Sequence, residues 1–356
     1  MVRLERRPLV IGHRGASGYR PEHTASAYRL ACEMGVDLVE PDVVVTRDGV
    51  LVVRHENEIS GTTDVAEHPE FAERRTTKTV DGEQLTGWFT EDFTWDELAA
   101  LGSRERLPRL RPANVEFDGA EGILRLSDVL AIVDEQSAAL GRDIGVVVEV
   151  KHARFAEDRG IDLAATLQAE LTACGWADRP DRLVIESFEL GVLDRLREAG
   201  VRADLVFLAE SFGSPADEPV DGAPARSYAW YRSDEGLAFL ATRVDGVSVA
   251  KADVLEVDAL GRAIGHTDLV ERAHAQGLRV FTWTLRPENR FLNAAFQSPA
   301  PSEERETSDL ARWGDWRSEF MMIAGTGVDG VFVDHPDLGV VIRGGEGVDA
   351  GARSAD

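Results

Sequence analysis

Eight short runs of apolar, largely β-branched sequence recur along the chain: PLVIGH (8–13), VDLVEPDVVV (36–45), IGVVVEVK (144–151), RLVIESF (182–188), ADLVFLA (203–209), DGVSVAK (245–251), LRVFTWTL (278–285) and VDGVFVD (328–334). A strand with one wet face alternates apolar and polar residues, whereas near-continuous runs belong to parallel strands covered on both sides. Between the runs, helical periodicity predicts helices over 24–34, 126–140, 161–174, 189–199, 234–242, 267–276 and 315–324, with Thr24 and Ser127 as the first two N-caps. Parallel neighbours need crossover connections, and eight such β/α units predict a (β/α)₈ barrel; a doubly wound sheet shares the alternation. A chain of 356 residues accommodates one such barrel with insertions, and residues 1–345 are expected to form that single domain.

Two stretches break the rhythm. VVVTRDGVLVVRH carries the turn signal Arg47-Asp48-Gly49 between two β-rich arms, predicting a hairpin that grows out of the second strand and returns His55 beside Glu40 and Asp42. Residues 56–125 are mixed in character and too long for a structureless loop, so a small inserted subdomain is expected there. It should contain a helix at Trp95–Leu101, capped by Thr94 with Glu97 as the capping-box acid. Residues 211–233 and 292–314 read as polar, loop-like insertions, and 346–356 as a disordered tail.

Charge narrows the partners. There are 39 Lys plus Arg against 64 Asp plus Glu, a formal charge of −25, which argues against nucleic acid and against stable association with anionic lipid. An anionic small-molecule substrate would need local cations or a bound metal to overcome that field. The two cysteines, Cys32 and Cys174, sit in helical contexts and imply no disulfide framework. With no secretory h-region at the start and no transmembrane-length apolar run, the expected compartment is cytoplasmic. Oligomeric state is not legible.

Barrel active sites gather at the C-terminal ends of the strands. The polar residues ending the apolar runs are His13 and Arg14, Glu40 and Asp42, His55, Glu149 and Lys151, Glu186, Lys251, Trp283 with Thr284, and Asp334. Glu40 and Asp42 at i, i+2 share a strand face, and Glu149 in VVVEVK is a carboxylate in an apolar strand, expensive to bury alone. Three converging carboxylates repel one another unless a cation lies among them, and hard ions such as Mg²⁺ or Ca²⁺ prefer oxygen ligands. Lys151 and Arg14 suit the non-bridging oxygens of a phosphate. His13 and His55 titrate near neutrality and suit an acid/base pair. Taken singly each residue has an ordinary structural explanation; together they spell phosphodiester cleavage. His23, His68, His152, His266, His274 and His335 are read as structural.

At these residues the chain resembles the glycerophosphodiester phosphodiesterase family. GHRGASGYRPEHTASAYRLACEMGVDLVEPDVVVTRDGVLVVRH (12–55) is similar to the family's His-Arg-Gly, Pro-Glu-Asn-Thr, Glu-x-Asp and hairpin-histidine signature in order and spacing, and the resemblance runs over residues 8–340. It implies a (β/α)₈ barrel with Glu40, Asp42 and Glu149 as metal ligands, His13 and His55 as the acid/base pair, and Arg14 and Lys151 on the phosphate. Glu22 then sits nearby in a polar or structural role. Of the aromatics expected near the barrel mouth, Phe188 and Trp283 are read as walling the glycerol or alcohol side of the pocket, and for Phe207 barrel core is at least as good an account. The implied reaction is hydrolysis of a glycerophosphodiester, a small-molecule substrate, to glycerol 3-phosphate and an alcohol, with one divalent ion, Ca²⁺ or Mg²⁺. The 56–125 insertion is most similar to the family's longer-insertion branch, whose metal is typically calcium. Two departures stand out: His23 replaces the Asn of Pro-Glu-Asn-Thr, and Glu56 follows His55 where Asp is usual. Two rivals to this reading are a related barrel that acts on lysophospholipids and releases a cyclic phosphate, and a barrel that binds metal and phosphate without catalysis.

Overall fold

In the computed structural model, residues 7–219, 224–299 and 307–344 are described. Eight parallel strands close on themselves: β1 (Leu9–His13), β2 (Leu38–Glu40, continued after Pro41 by Asp42–Val45), β3 (Gly145–Val150), β4 (Leu183–Ser187), β5 (Asp204–Ala209), β6 (Gly246–Ala250), β7 (Arg279–Leu285) and β8 (Gly330–Val333). Each pairs in parallel with the next, and β8 pairs back onto β1, with Leu9 beside Gly330. The (β/α)₈ barrel expected from the alternating runs is therefore present, and the doubly wound sheet is not.

The period of two along each strand sorts the side chains into two cores. Outward residues such as Val10, Val39, Val146, Val148, Ile185, Val247 and Val331 pack with the surrounding helices in the larger core. Inward residues Ile11, Leu38, Val147, Val184, Val206, Phe281 and Phe332 fill the barrel floor. Two residues further along the same inward face come His13, Glu40, Glu149, Glu186, Trp283 and Asp334, with Asp42 one more step along β2. One alternation thus builds an apolar plug and, on top of it, a ring of polar groups at the C-terminal mouth.

The helices fall within two residues of the expected spans, from Ala25–Glu33 to Trp316–Ala324. Thr24 is the first N-cap, its side chain accepting from the Ala27 N–H. Ser127 is not the second. In that helix, Leu126–Leu140, the cap is Arg125, two residues earlier, because Asp128 reaches back to the Arg125 N–H at 2.9 Å, while the Ser127 N–H goes to Glu170. A closing helix, Pro336–Gly344, and an antiparallel hairpin, Leu255–Val257 with Ala263–His266, were not expected; the helix has the signal of a proline in its first position. Tyr228–Tyr231 is a short helix inside an expected loop. Residues 346–356 lie outside the described ones.

After β2 the chain turns at Thr46–Val50 and returns as Leu51–Val53, antiparallel to Asp42–Val45, as the Arg47-Asp48-Gly49 signal requires. Beyond it the inserted cap has a small core of its own, in which Ile59, Val65, Phe71, Trp88, Phe93, Leu98, Leu101 and Ile123 pack onto Val44 and Val52 of the hairpin. Its helix spans Trp95–Leu98, shorter than expected, with the Thr94–Glu97 capping box in place. No helix among the described residues is long and apolar enough to cross a membrane.

Candidate active site

The mouth ring brings Glu40, Asp42 and Glu149 within 4.8 Å of one another, and all three are buried. Pro41 separates the first two without disturbing their spacing, since its carbonyl accepts the Glu149 N–H at 3.0 Å and keeps β2 in register with β3. Burial pushes Glu40 well above the usual carboxylate range, with Asp42 and Glu149 adding to the push. Glu149 is pushed up to about 8, again by burial first, although Lys151 opposes it. Burial works against Asp42 too, yet Lys151, His55 and the His23 hydrogen bond hold it well below its ordinary value. Among the described residues Glu40 Oε1 has no hydrogen-bond partner, and neither does Oε2 of Glu186, which sits opposite Glu149 in the β3–β4 register. Buried carboxylates that cannot all ionise, with an oxygen unsatisfied, fit a hard divalent cation.

The two cations beside the triad are already engaged with it. Lys151 Nζ lies 3.0 Å from Asp42 Oδ1 and 2.5 Å from Glu149 Oε1. Arg14 donates through Nη1 to Glu22 at 3.0 Å and through its backbone N–H to Glu40 at 2.7 Å, with Nε 3.4 Å from Asp42.

Both catalytic candidates are carboxylate-backed imidazoles. His13 Nδ1 is 2.7 Å from Asp334 Oδ1 and His55 Nδ1 is 2.6 Å from Glu56 Oε1. An ionised carboxylate only accepts, so in each ring the proton sits on Nδ1 and Nε2 keeps its lone pair. Burial, helped by Arg14, lowers His13 to about 4; burial, then Arg14 and Lys151, lowers His55 to about 3. Both rings are therefore neutral at pH 7, as a proton acceptor must be.

Neither carboxylate is free to wander. Asp334 Oδ2 accepts from Arg111 Nη2 at 2.6 Å and from Arg286 Nε at 2.7 Å. Glu56 accepts from Arg106 at 2.8 and 2.6 Å, and the same guanidinium holds Glu22 at 2.6 and 2.7 Å. Arg106 and Arg111 come from the cap, which thus fixes both histidines. Sequence reasoning collected Asp334 at a strand end but gave it no role, and it missed Arg106 and Arg111 altogether.

His23 answers the first departure. Its backbone is left-handed at φ 60°, a region where Asn is common and His tolerated. The fully buried ring bridges Tyr28 O–H, 2.7 Å from Nδ1, and Asp42 Oδ2, 2.9 Å from Nε2. With Asp42 anionic, Nε2–H donates and Nδ1 accepts from the tyrosine, so His23 aims a triad carboxylate. Its role is structural, as read, but inside the site. Of the other histidines read as structural, His274 bonds Asp329, His152 bonds Asp81, and His335, next to Asp334 in the chain, packs edge-on to Tyr19 and Trp313.

Phe188 and Trp283 meet edge to face at 5.8 Å on the β4 and β7 side of the mouth, both half-buried. Lys151 Nζ lies 5.7 Å from the Phe188 ring, so the wall adjoins the carboxylates. The Trp283 indole N–H has no partner among the described residues. Phe207 is core, fully buried and 4.7 Å from the Tyr231 ring.

The chain is similar to known proteins over nearly its whole length. The chain is 30% identical to an Arabidopsis thaliana glycerophosphodiester phosphodiesterase, GDPD6, over 92% of its own length and 84% of the relative's. It is 25% identical to the Haemophilus influenzae glycerophosphodiester phosphodiesterase over 93% and 88%. Among solved structures, a putative glycerophosphoryl diester phosphodiesterase from Silicibacter pomeroyi shares the fold with a TM-score of 0.62 at 22% identity, covering 94% of this chain and 92% of that one. An Oleispira antarctica phosphodiesterase, solved with the product sn-glycerol-3-phosphate, aligns with a TM-score of 0.57 at 18% identity, over 94% and 96%. The profile of the glycerophosphoryl diester phosphodiesterase family matches residues 13–338, and the chain belongs to that family.

Proposed function

We propose that the protein hydrolyses small glycerophosphodiesters to glycerol 3-phosphate and an alcohol with the help of one divalent cation, Ca²⁺ or Mg²⁺. The observation that carries this reading is the pairing, in one barrel mouth, of a three-carboxylate cluster with two neutral, carboxylate-backed histidines. Binding alone would need no such pair.

Glu40, Asp42 and Glu149 would hold the ion, which when bound supplies positive charge to polarise the phosphate. Arg14 and Lys151 face the non-bridging oxygens. One of His13 and His55 accepts at Nε2 the proton of the attacking hydroxyl; the other first takes a proton from solvent at Nε2 and gives it to the alcohol oxygen as its bond to phosphorus breaks. Glu22 anchors Arg14 and Arg106. Phe188 and Trp283 wall the glycerol, with the free indole N–H offered to a hydroxyl.

The test is to incubate the purified protein with glycerophosphocholine, glycerophosphoethanolamine and a lysophospholipid, each with Ca²⁺, Mg²⁺ or EDTA, and to assay glycerol 3-phosphate. Turnover of the first two that EDTA abolishes and one ion restores is expected. Full activity in EDTA would remove the metal from the account, and turnover of the lysophospholipid alone would replace the substrate class.

A further inference from the structure

Beside His13 lies a small, partly open cleft lined by His13, Arg14, Arg106, Arg111, Arg286 and Asp334 among others. Four guanidiniums around one small space invite the question of which is available to a ligand. Arg106 bonds carboxylates through all three of its nitrogens. Arg111 likewise engages Glu288, the Ser17 carbonyl and Asp334. Arg14 gives Nη1 to Glu22 and holds Nε near Asp42.

Arg286 differs. Only its Nε is committed, to Asp334 Oδ2, and its guanidinium rests over the Phe291 ring at 4.5 Å. Both terminal nitrogens are left without a partner among the described residues, at a side chain that is 22% exposed. Asp334 joins this arginine to the catalytic candidate: Oδ1 holds His13 and Oδ2 holds Arg286, so one carboxylate fixes both groups at the rim of one cavity.

We propose that Arg286 is a third phosphate-binding cation, whose free nitrogens grip the phosphoryl oxygens on the His13 side of the site. The proposal rests on the phosphodiesterase reading above. Its chemistry follows from how the charge is distributed. Lys151 and Arg14 each face two carboxylates, so little of their charge reaches a ligand. The substrate carries one negative charge and the phosphomonoester product close to two at pH 7. A planar fork with two uncommitted nitrogens matches that oxygen geometry, and a lysine would match it less well.

The test is calorimetric titration of the Ca²⁺-loaded protein with inorganic phosphate and with sn-glycerol 3-phosphate, using wild type, Arg286→Gln and Arg286→Lys, all checked for an intact melt. Loss of a charge-assisted bond predicts Kd raised roughly ten- to a hundredfold in the Gln variant, with Lys between. Because Arg111 still holds Asp334, the acidic limb of the pH–rate profile should stay in place. A Kd within twofold of wild type in Arg286→Gln overturns the proposal, and a shifted acidic limb with unchanged Kd would make the arginine a prop for Asp334 instead. If wild type binds both phosphates yet turns over no glycerophosphodiester, the activity fails and this assignment stands. If wild type binds neither, both fall.

Discussion

Asp334→Asn is the sharpest probe of how His13 is set. The carboxylate receives three bonds, from His13 Nδ1, Arg111 Nη2 and Arg286 Nε, at 2.7, 2.6 and 2.7 Å. An asparagine of the same shape must turn its oxygen to the two guanidiniums, because its amide would confront donors there. Its NH₂ then faces Nδ1, which has to accept, so the imidazole proton moves to Nε2 and the lone pair leaves the site. A serine-protease triad loses about 10⁴-fold in kcat from the equivalent change, and a loss on the order of 10³–10⁴ is expected here. Removing a charge between two arginines should also cost about 2–4 kcal/mol, less than a fully broken buried pair because Arg111 keeps Glu288. The arginines and His13 overcome the burial that opposes ionisation and hold Asp334 well below the usual carboxylate range. With a lowered folded value, that stabilisation is present above about pH 4 and fades as the pH falls further. Release of glycerol 3-phosphate from glycerophosphocholine and melts from pH 3 to 8 measure both effects. A folded variant within tenfold of wild-type kcat would refute the tautomer argument.

Other outcomes follow from single contacts. His13→Ala and His55→Ala should each lower kcat by about 10²–10⁴-fold with the melt little changed; near-wild-type turnover in either returns that histidine to a structural role. His23→Ala strips both ring bonds and leaves a non-Gly residue at positive φ, costing about 3–5 kcal/mol in urea unfolding, whereas His23→Asn should cost less than half of that. The same Ala change should weaken Ca²⁺ binding roughly 10–100-fold by calorimetry, because Asp42 loses the group that aims it. Glu186→Gln should melt higher than wild type at pH 8 in EDTA, with the gap closing near pH 4. Burial raises this carboxyl in the folded state, so its penalty appears only as the pH rises and ionisation is demanded.

Much of this site was legible because it is local or periodic. Glu40 with Asp42, and Glu149 with Lys151, are i, i+2 pairs on strands, so their shared face could be read from spacing alone. The hairpin that returns His55 is written in Arg47-Asp48-Gly49. Polar partners lack such a period. Ser127 looked like the cap of its helix because Ser is a good N-cap, but the acid at Asp128 reached the Arg125 N–H from inside the helix. His23 looked structural, and nothing in the sequence says that Tyr28 and Asp42 stand on either side of its ring.

What the sequence conceals most completely is the work of the cap. Composition and length announce an inserted subdomain, and such an insertion reads naturally as a cover over the barrel mouth. Its two arginines do more than cover. Arg106 clamps Glu56, which sets His55, and Arg111 clamps Asp334, which sets His13. Arg106 lies 50 residues from Glu56 and Arg111 lies 223 from Asp334, separations that no pattern in a single chain reports. The same clamps explain how Glu56 serves where the family usually has Asp: the longer side chain gives one oxygen to His55 while both are gathered by the Arg106 fork. Arg106 and Arg111 are thus spent on orienting carboxylates, and under the proposed function the ion, Arg14, Lys151 and the free end of Arg286 would meet the phosphate.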